Sequence, residues 1–151
     1  MEEKGNLAAA ISSGGVPLKS PGRLADSCMP GVGVYASNGS AAVSCTGHGE
    51  TIMRLTVARD VAAITEFCKS SLQDSARKIA GRIVRFGGAA AFISIDKSGE
   101  YAVASGLPDL HWGLWKSGVG ISVQSNLPLD STSVYQGIYG IFSNNSSLGV
   151  L

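Results

Sequence analysis

Arg23 and Asp26 stand three residues apart in a Gly- and Pro-rich stretch, Pro21-Gly22-Arg23-Leu24-Ala25-Asp26. A planar guanidinium holds a carboxylate through two parallel hydrogen bonds, and a carboxylate can hold an ammonium. Together the two side chains suit the zwitterionic head of an amino acid or a free chain terminus. The same spacing also suits an ion pair between them that anchors the loop, and surface pairs of this type are common. The second segment with chemical content is Ser44-Cys45-Thr46-Gly47-His48-Gly49-Glu50. A strand that ends in Thr-Gly-x-Gly and runs into a helix presents backbone N–H groups at the helix start, and glycine lets a ligand approach the backbone closely. Such a turn binds a carboxylate or stabilises a developing oxyanion, with Thr46 adding a hydroxyl donor. An ordinary tight turn capping a helix reads the same way. Cys45 and His48 are not read as a thiol nucleophile and its base, because Cys45 falls within the strand and nothing nearby orients the imidazole. Trp112 and Trp115, with no basic patch around them, read as packing residues and not as a base-stacking platform.

The elements that must position these residues follow from hydrophobic periodicity. Asn6 to Ser12, NLAAAIS, is expected as a short buried strand entered through a turn at Lys4-Gly5. Residues 13 to 40 carry Gly14-Gly15, Pro17, Pro21-Gly22 and Pro30-Gly31, which predicts a long loop of the functional kind. Ala41 to Cys45 is a second strand, and Glu50 opens a helix whose apolar residues run from Ile52 to Phe67. A further helix is predicted from Leu72 to Phe86, with Leu72, Ala76, Ile79 and Ile83 as its stripe and Gly87-Gly88 as its stop. Ala89 to Ile95 and Glu100 to Ser105 form a hairpin about Asp96-Lys97-Ser98-Gly99, and Val119 to Val123 offers one more strand. The order predicts an α+β fold, two helices packed on a mainly antiparallel sheet. One domain over residues 1–125 and a low-complexity tail over 126–151 are expected.

The chain of 151 residues is 44% hydrophobic and 15% charged, enough apolar mass for one core and too few charges for a disordered chain. A net charge of +1 gives no electrostatic footprint for nucleic acid or an anionic membrane. No run approaches the roughly 18 apolar residues of a membrane helix, and the charged start Met1-Glu2-Glu3-Lys4 does not read as a secretory signal. The cysteines Cys28, Cys45 and Cys68 form no C-x-x-C, so no structural zinc site is expected and a reduced, cytoplasmic setting fits.

Three segments, GNLAAAISSGG, LKSPGRLADS and VSCTGHGE, occur in the order and spacing of a known family. The chain resembles the C-terminal subunit of the isoaspartyl peptidase/L-asparaginase family, N-terminal nucleophile (Ntn) hydrolases that use threonine. Threonine aspartase, a close relative, shares the SSGG and LK-x-PGR elements. The resemblance is nearly gapless from Gly5 to about Glu50 and looser to about Val123. It implies a four-layer αββα sandwich built from an α and a β subunit, cut autocatalytically from one precursor and assembled as (αβ)2. It implies hydrolysis of the asparagine side-chain amide or of β-aspartyl isopeptide bonds, without cofactor or metal. The nucleophile is the first threonine of the β subunit, with its own α-amine as base. Carried over residue by residue, Ser13 matches a supporting hydroxyl and Arg23 the holder of the substrate α-carboxylate. Asp26 matches the holder of the α-ammonium, with Leu24 and Ala25 beside it in the substrate loop. Thr46 and Gly47 match the oxyanion hole, and His48 and Gly49 continue the substrate contact. The family's usual glycine before this aspartate is Ala25, a change expected to crowd the loop. The nucleophilic threonine and the first strand that carries it would lie before Met1, so the chain is expected to be inactive as given. A threonine aspartase-like endopeptidase fragment and a non-catalytic pseudoenzyme fragment are the alternatives; the short Tyr35–Val43 connection favours the asparaginase branch.

Overall fold

The computed structural model describes residues 5–107, 110–125, 134–136 and 148–150. The strands β1 (Val34–Ala36), β2 (Ala41–Gly47), β3 (Ala90–Asp96) and β4 (Tyr101–Ser105) build an antiparallel sheet. Between β2 and β3 run the helices α1 (Gly49–Leu55), α2 (Val57–Phe67) and α3 (Leu72–Arg85). After β4 come β5 (His111–Lys116), β6 (Gly120–Ser125), β7 (Val134–Gln136) and β8 (Leu148–Val150). The first sheet has the order β1-β2-β3-β4-β7, and a second sheet has the order β6-β5-β8.

Because side chains alternate across a strand, the first sheet has two apolar faces. Ala41, Val43 and Cys45 of β2, Phe92 of β3 and Ala102 and Ala104 of β4 turn to the helices. They meet Ile52, Val57, Ala58, Val61, Leu72, Ala76, Ile79 and Ile83 there. Ala42, Ile95, Tyr101 and Val103 face the other way and pack with Leu7 and with Trp112 and Leu114 of β5. Three layers result: helices, the five-stranded sheet, and the second sheet with the N-terminal segment. This is an α+β architecture of the expected kind.

The stripe on α3 is as the spacing predicts, and its N-terminus is capped by Ser71 Oγ, which accepts the Asp74 N–H at 3.1 Å. Other elements differ from expectation. The helix expected from Glu50 to Phe67 is broken in two at Thr56, which sits at φ 50°, ψ 46° and donates its N–H to Ile52 and Met53 carbonyls. The break rotates the apolar phase, so that Ile52 of α1 and Val57, Ala58 and Val61 of α2 all reach the sheet. Asn6 to Ser12 is not a strand: among the described residues it enters no ladder, and a strand exists only where a neighbour takes its backbone bonds. The short β1 and all of β5 were not expected. Trp112 of β5 is buried, as a packing residue, whereas Trp115 is 38% exposed. Of the tail read over 126–151, Val134–Gln136 and Leu148–Val150 are strands, and the rest lies outside the described residues, as does Lys4 of the turn read at Lys4-Gly5.

Candidate functional site

A cavity of about 540 Å³ opens on the sheet face away from the helices, between β2–β3 and the segment Ala8 to Ser13. That segment is tied down by side chains. Asn38 Oδ1 accepts the Leu7 N–H at 2.7 Å, Asn38 Nδ2 donates to Asn6 Oδ1 at 2.9 Å, and Ser44 Oγ donates to the Ala10 carbonyl at 3.2 Å. Its lining combines the apolar Ala9, Ile11, Ile93 and Ile95 with Ser13, Asp26, Ser27, Thr46 and Gly47.

Asp26 is buried, 5% exposed, at the start of a 3-10 turn over Asp26–Cys28. It fits because its neighbours lack side chains: a Cβ on Gly33 would stand 2.8 Å from Oδ2, and one on Gly49 2.8 Å from Oδ1. Burial pushes its carboxyl pKa up, against the backbone N–H groups of Asp26 and Ser27 and the charge of Arg23; the charge of Glu50 adds to the rise. The thiol of Cys45, buried on the helix side of the sheet, is pushed up by burial and then by Asp26, which leaves it a neutral packing group. Ala25 has φ −143° and ψ −168°, extended backbone open to any residue, so the expected crowding of the loop does not arise from its conformation. Leu24 is 68% exposed.

Arg23 does not pair with Asp26. Its Nη2 donates to Glu50 Oε1 at 2.8 Å, and the other Glu50 oxygen lies 3.5 Å from His48 Nε2. The bond from Arg23 holds the Glu50 carboxyl below the usual range. The Arg23 side chain is largely shielded, 19% exposed, and that of Glu50 is half-exposed. The turn at Thr46–Gly49 depends on Gly47, at φ +119°, where a Cβ would lie 2.5 Å from the Ala89 carbonyl oxygen. His48 donates its N–H to that carbonyl at 2.7 Å, so this group is not open to a ligand as the helix-start reading expected. The His48 carbonyl in turn accepts from Thr51 and Ile52 N–H. Ser13 Oγ accepts the Gly15 N–H at 3.0 Å.

The cavity thus gathers Ser13, Asp26, Thr46 and Gly47. Arg23 and His48 meet through Glu50, and Gly49 backs the Asp26 carboxylate from outside the cavity. An acid, hydroxyls and a glycine turn in the lining of one cavity can bind a small cationic or amide-bearing molecule, with a guanidinium close to the acid. Glu50 was read only as a helix opener; its pairing across 27 residues leaves no local trace. Gly33 was missed too, although it falls in a Gly-Val-Gly-Val run with no turn chemistry of its own. Among the described residues no three His, Cys, Asp or Glu side chains gather to hold a metal.

A family model described as Asparaginase matches residues 1–122. The isoaspartyl peptidase of Salmonella typhimurium is 44% identical over 100 residues, 66% of this chain and 32% of that protein. The isoaspartyl peptidase of Escherichia coli is 40% identical over 112 residues, 72% of this chain and 35% of that protein. An isoaspartyl peptidase/L-asparaginase of Bos taurus is 36% identical over 132 residues, 87% of this chain and 42% of that protein. The match therefore spans well under half the length of these curated relatives.

Proposed function

The chain belongs to the asparaginase family, and on that premise we propose that it is the substrate-binding part of a hydrolase acting on the side-chain amide of asparagine or on β-aspartyl isopeptide bonds. The observation that carries the reading is the convergence of Asp26, Thr46 and Gly47 on the wall of one cavity. Asp26 holds the substrate α-ammonium, and Arg23 turns from Glu50 to the α-carboxylate. The Thr46 hydroxyl and the Gly47 turn face the oxygen of the scissile amide, and charge growing there is stabilised by donors already in place. Ser13 supports the nucleophile with its hydroxyl.

In this reading the nucleophile is an N-terminal threonine outside the 151 residues, freed by self-cleavage and activated by its own amine. Its strand pairs with the segment of strand composition at residues 6–12. The rest of the enzyme is an α subunit from the same precursor, completing an αββα sandwich within an (αβ)2 assembly. Three free thiols support a reducing, cytoplasmic setting. No helix among the described residues is long and apolar enough to cross a membrane.

The test is a chimera that joins this chain, in frame, to the preceding part of the Salmonella typhimurium relative. The chain alone is expected to release neither ammonia from asparagine nor aspartate from β-aspartyl dipeptides. The chimera is expected to mature and hydrolyse both, and to lose activity with Thr46→Ala. A chimera that matures but stays inert on both substrates would refute the reading, as would activity of the chain alone.

A further inference from the structure

Arg23 answers to two acids in different ways. Its Nη2 donates to Glu50 Oε1 at 2.8 Å, a bond that ties the loop before the 3-10 turn to the first turn of α1. Asp26 feels the same guanidinium as a charge and not as a hydrogen-bond partner. Arg23 lowers the carboxyl pKa of both acids, and the charge of Glu50 raises that of Asp26. Two carboxylates thus share one guanidinium within reach of each other. Lys19 Nζ donates to the Arg23 carbonyl at 3.5 Å; the charges that act on the two carboxyls are those of Arg23, His48 and the acids themselves. Asp26 is buried and closed in by Gly33 and Gly49, whereas the Glu50 side chain is half-exposed and has room in solvent to turn outward. His48 Nε2, 3.5 Å from the second Glu50 oxygen, remains a neighbour for a carboxylate that leaves Arg23.

We propose that Glu50 is a specificity-determining residue: its carboxylate occupies Arg23 in the empty site and, once displaced, repels a ligand that carries a carboxylate without an ammonium beside it. The inference rests on the proposed reading of Arg23 and Asp26 as holders of the α-carboxylate and the α-ammonium. Any acidic ligand must break the Arg23–Glu50 bond and then stay close to two acids that share one cation. An α-amino acid brings its own cation, which both acids attract, so its carboxylate takes the guanidinium with little net repulsion. A plain dicarboxylate brings only charge of the wrong sign. A like charge placed against the wrong ligand discriminates as effectively as a new bond to the right one. Removing the charge of Glu50 leaves one acid to one guanidinium, and the plain acid gains most. Because Glu50 is half-exposed, its effect is moderate and is screened by salt.

The test titrates the nitrogen-15-labelled 151-residue chain with L-aspartate and with succinate, which differ only in the α-ammonium. Affinities are read from the NMR shifts of the Asp26 and Gly49 amides, so no turnover is needed. The parent should favour L-aspartate. In Glu50→Gln that preference should shrink roughly three- to tenfold, chiefly because succinate binds more tightly. Glu50→Asp keeps the charge and should retain most of the preference. Glu66→Gln removes the same charge from α2, beside the turn at Gly39, and should change nothing. A parent that binds neither ligand, a Glu50→Gln chain with the parent's preference, or an equal loss in Glu50→Asp and Glu50→Gln would overturn the proposal. If Glu50→Gln fails to fold by circular dichroism, a parent preference that added salt leaves unchanged overturns it equally. The activity of the chimera is read separately. An inert chimera with the shift present removes the proposed reaction and keeps this role of Glu50; an active chimera with the shift absent does the reverse.

Discussion

Asp26 is a carboxylate held in a place that disfavours its charge. Its folded pKa is raised, chiefly by burial. The folded state therefore binds the proton more tightly than the unfolded one, whose carboxyl titrates near the ordinary aspartate value of about 3.9. Stability rises as pH falls from neutral through the raised folded pKa and levels off below the unfolded one. Asp26→Asn keeps the shape and removes the charge, so its Tm at neutral pH should exceed that of the parent by roughly a few degrees. The stabilisation on acidification should flatten in the variant. Thermal melts of both proteins from neutral to mildly acidic pH check the sign, and a lower Tm for the variant at neutral pH would show that the hydrogen bonds outweigh burial. A residue that stabilises when removed is expected at a binding site, where function and stability compete.

Arg23 poses the complementary case, since its fork is already engaged by Glu50. The Glu50 half of that pair lies open to solvent, which screens the bond and keeps its contribution to stability small, so a substrate carboxylate can take the guanidinium over. In the completed enzyme, Arg23→Ala should lose roughly 2–4 kcal/mol of transition-state binding, about 30- to 1000-fold in kcat/KM. Arg23→Lys should recover only part, because a point charge does not reproduce the planar fork. The self-cleavage proposed for the chimera should survive both changes. Steady-state kinetics on a β-aspartyl dipeptide within about threefold of the parent for Arg23→Ala would return Arg23 to a purely structural pair, now with Glu50 and not with Asp26.

Among the elements, Thr56 carries the sharpest departure from local preference. A non-glycine residue at φ 50°, ψ 46° is strained, and here it divides one helical run into two that share a single sheet face. Thr56→Gly should relieve that strain, offset in part by the entropy of a freer unfolded chain, for a net gain of about 0.5–1 kcal/mol. Urea unfolding followed by circular dichroism measures it; a loss of stability would mean that the threonine side chain contributes more than its backbone costs. The break also shows what local pattern can and cannot reveal. The stripe Leu72, Ala76, Ile79, Ile83 and the apolar run AAAFISI of a buried strand are legible because burial acts on each element separately. Thr56 is not, because neither glycine nor proline marks the turn. The segment 6–12 has strand composition but enters no ladder among the described residues, and β5 hides its alternation behind Gly113 in HWGLWK. At the site, Arg23, Asp26 and the Thr46–Gly49 turn are visible as motifs, whereas Glu50 and Gly33 act only through contacts distant in sequence.

At the scale of the whole molecule, two unequal cores share one sheet. The helix-side core is broad; the other is smaller and rests on Tyr101, Val103, Leu114 and above all Trp112, the one large ring that β5 buries. Tyr101 and Trp112 meet at a ring-centroid distance of 5.9 Å and a tilt of 49°, joining β4 of the first sheet to β5 of the second. The candidate cavity opens on this same face, so the smaller core carries the side on which a substrate would sit. Trp112→Ala should cost about 3–5 kcal/mol, the range for emptying a buried aromatic site, against a total of about 5–15 kcal/mol for a domain. The loss should be uneven. Amide exchange in β5 and β6 should quicken first, with α2 and α3 the last to lose protection, because their contacts lie on the opposite face of the sheet. Hydrogen exchange read segment by segment on the parent and the variant decides the matter. Uniform acceleration would mean that the two cores form one cooperative unit. A loss under about 1 kcal/mol would mean that Trp112 merely covers the sheet and does not hold the second one to it.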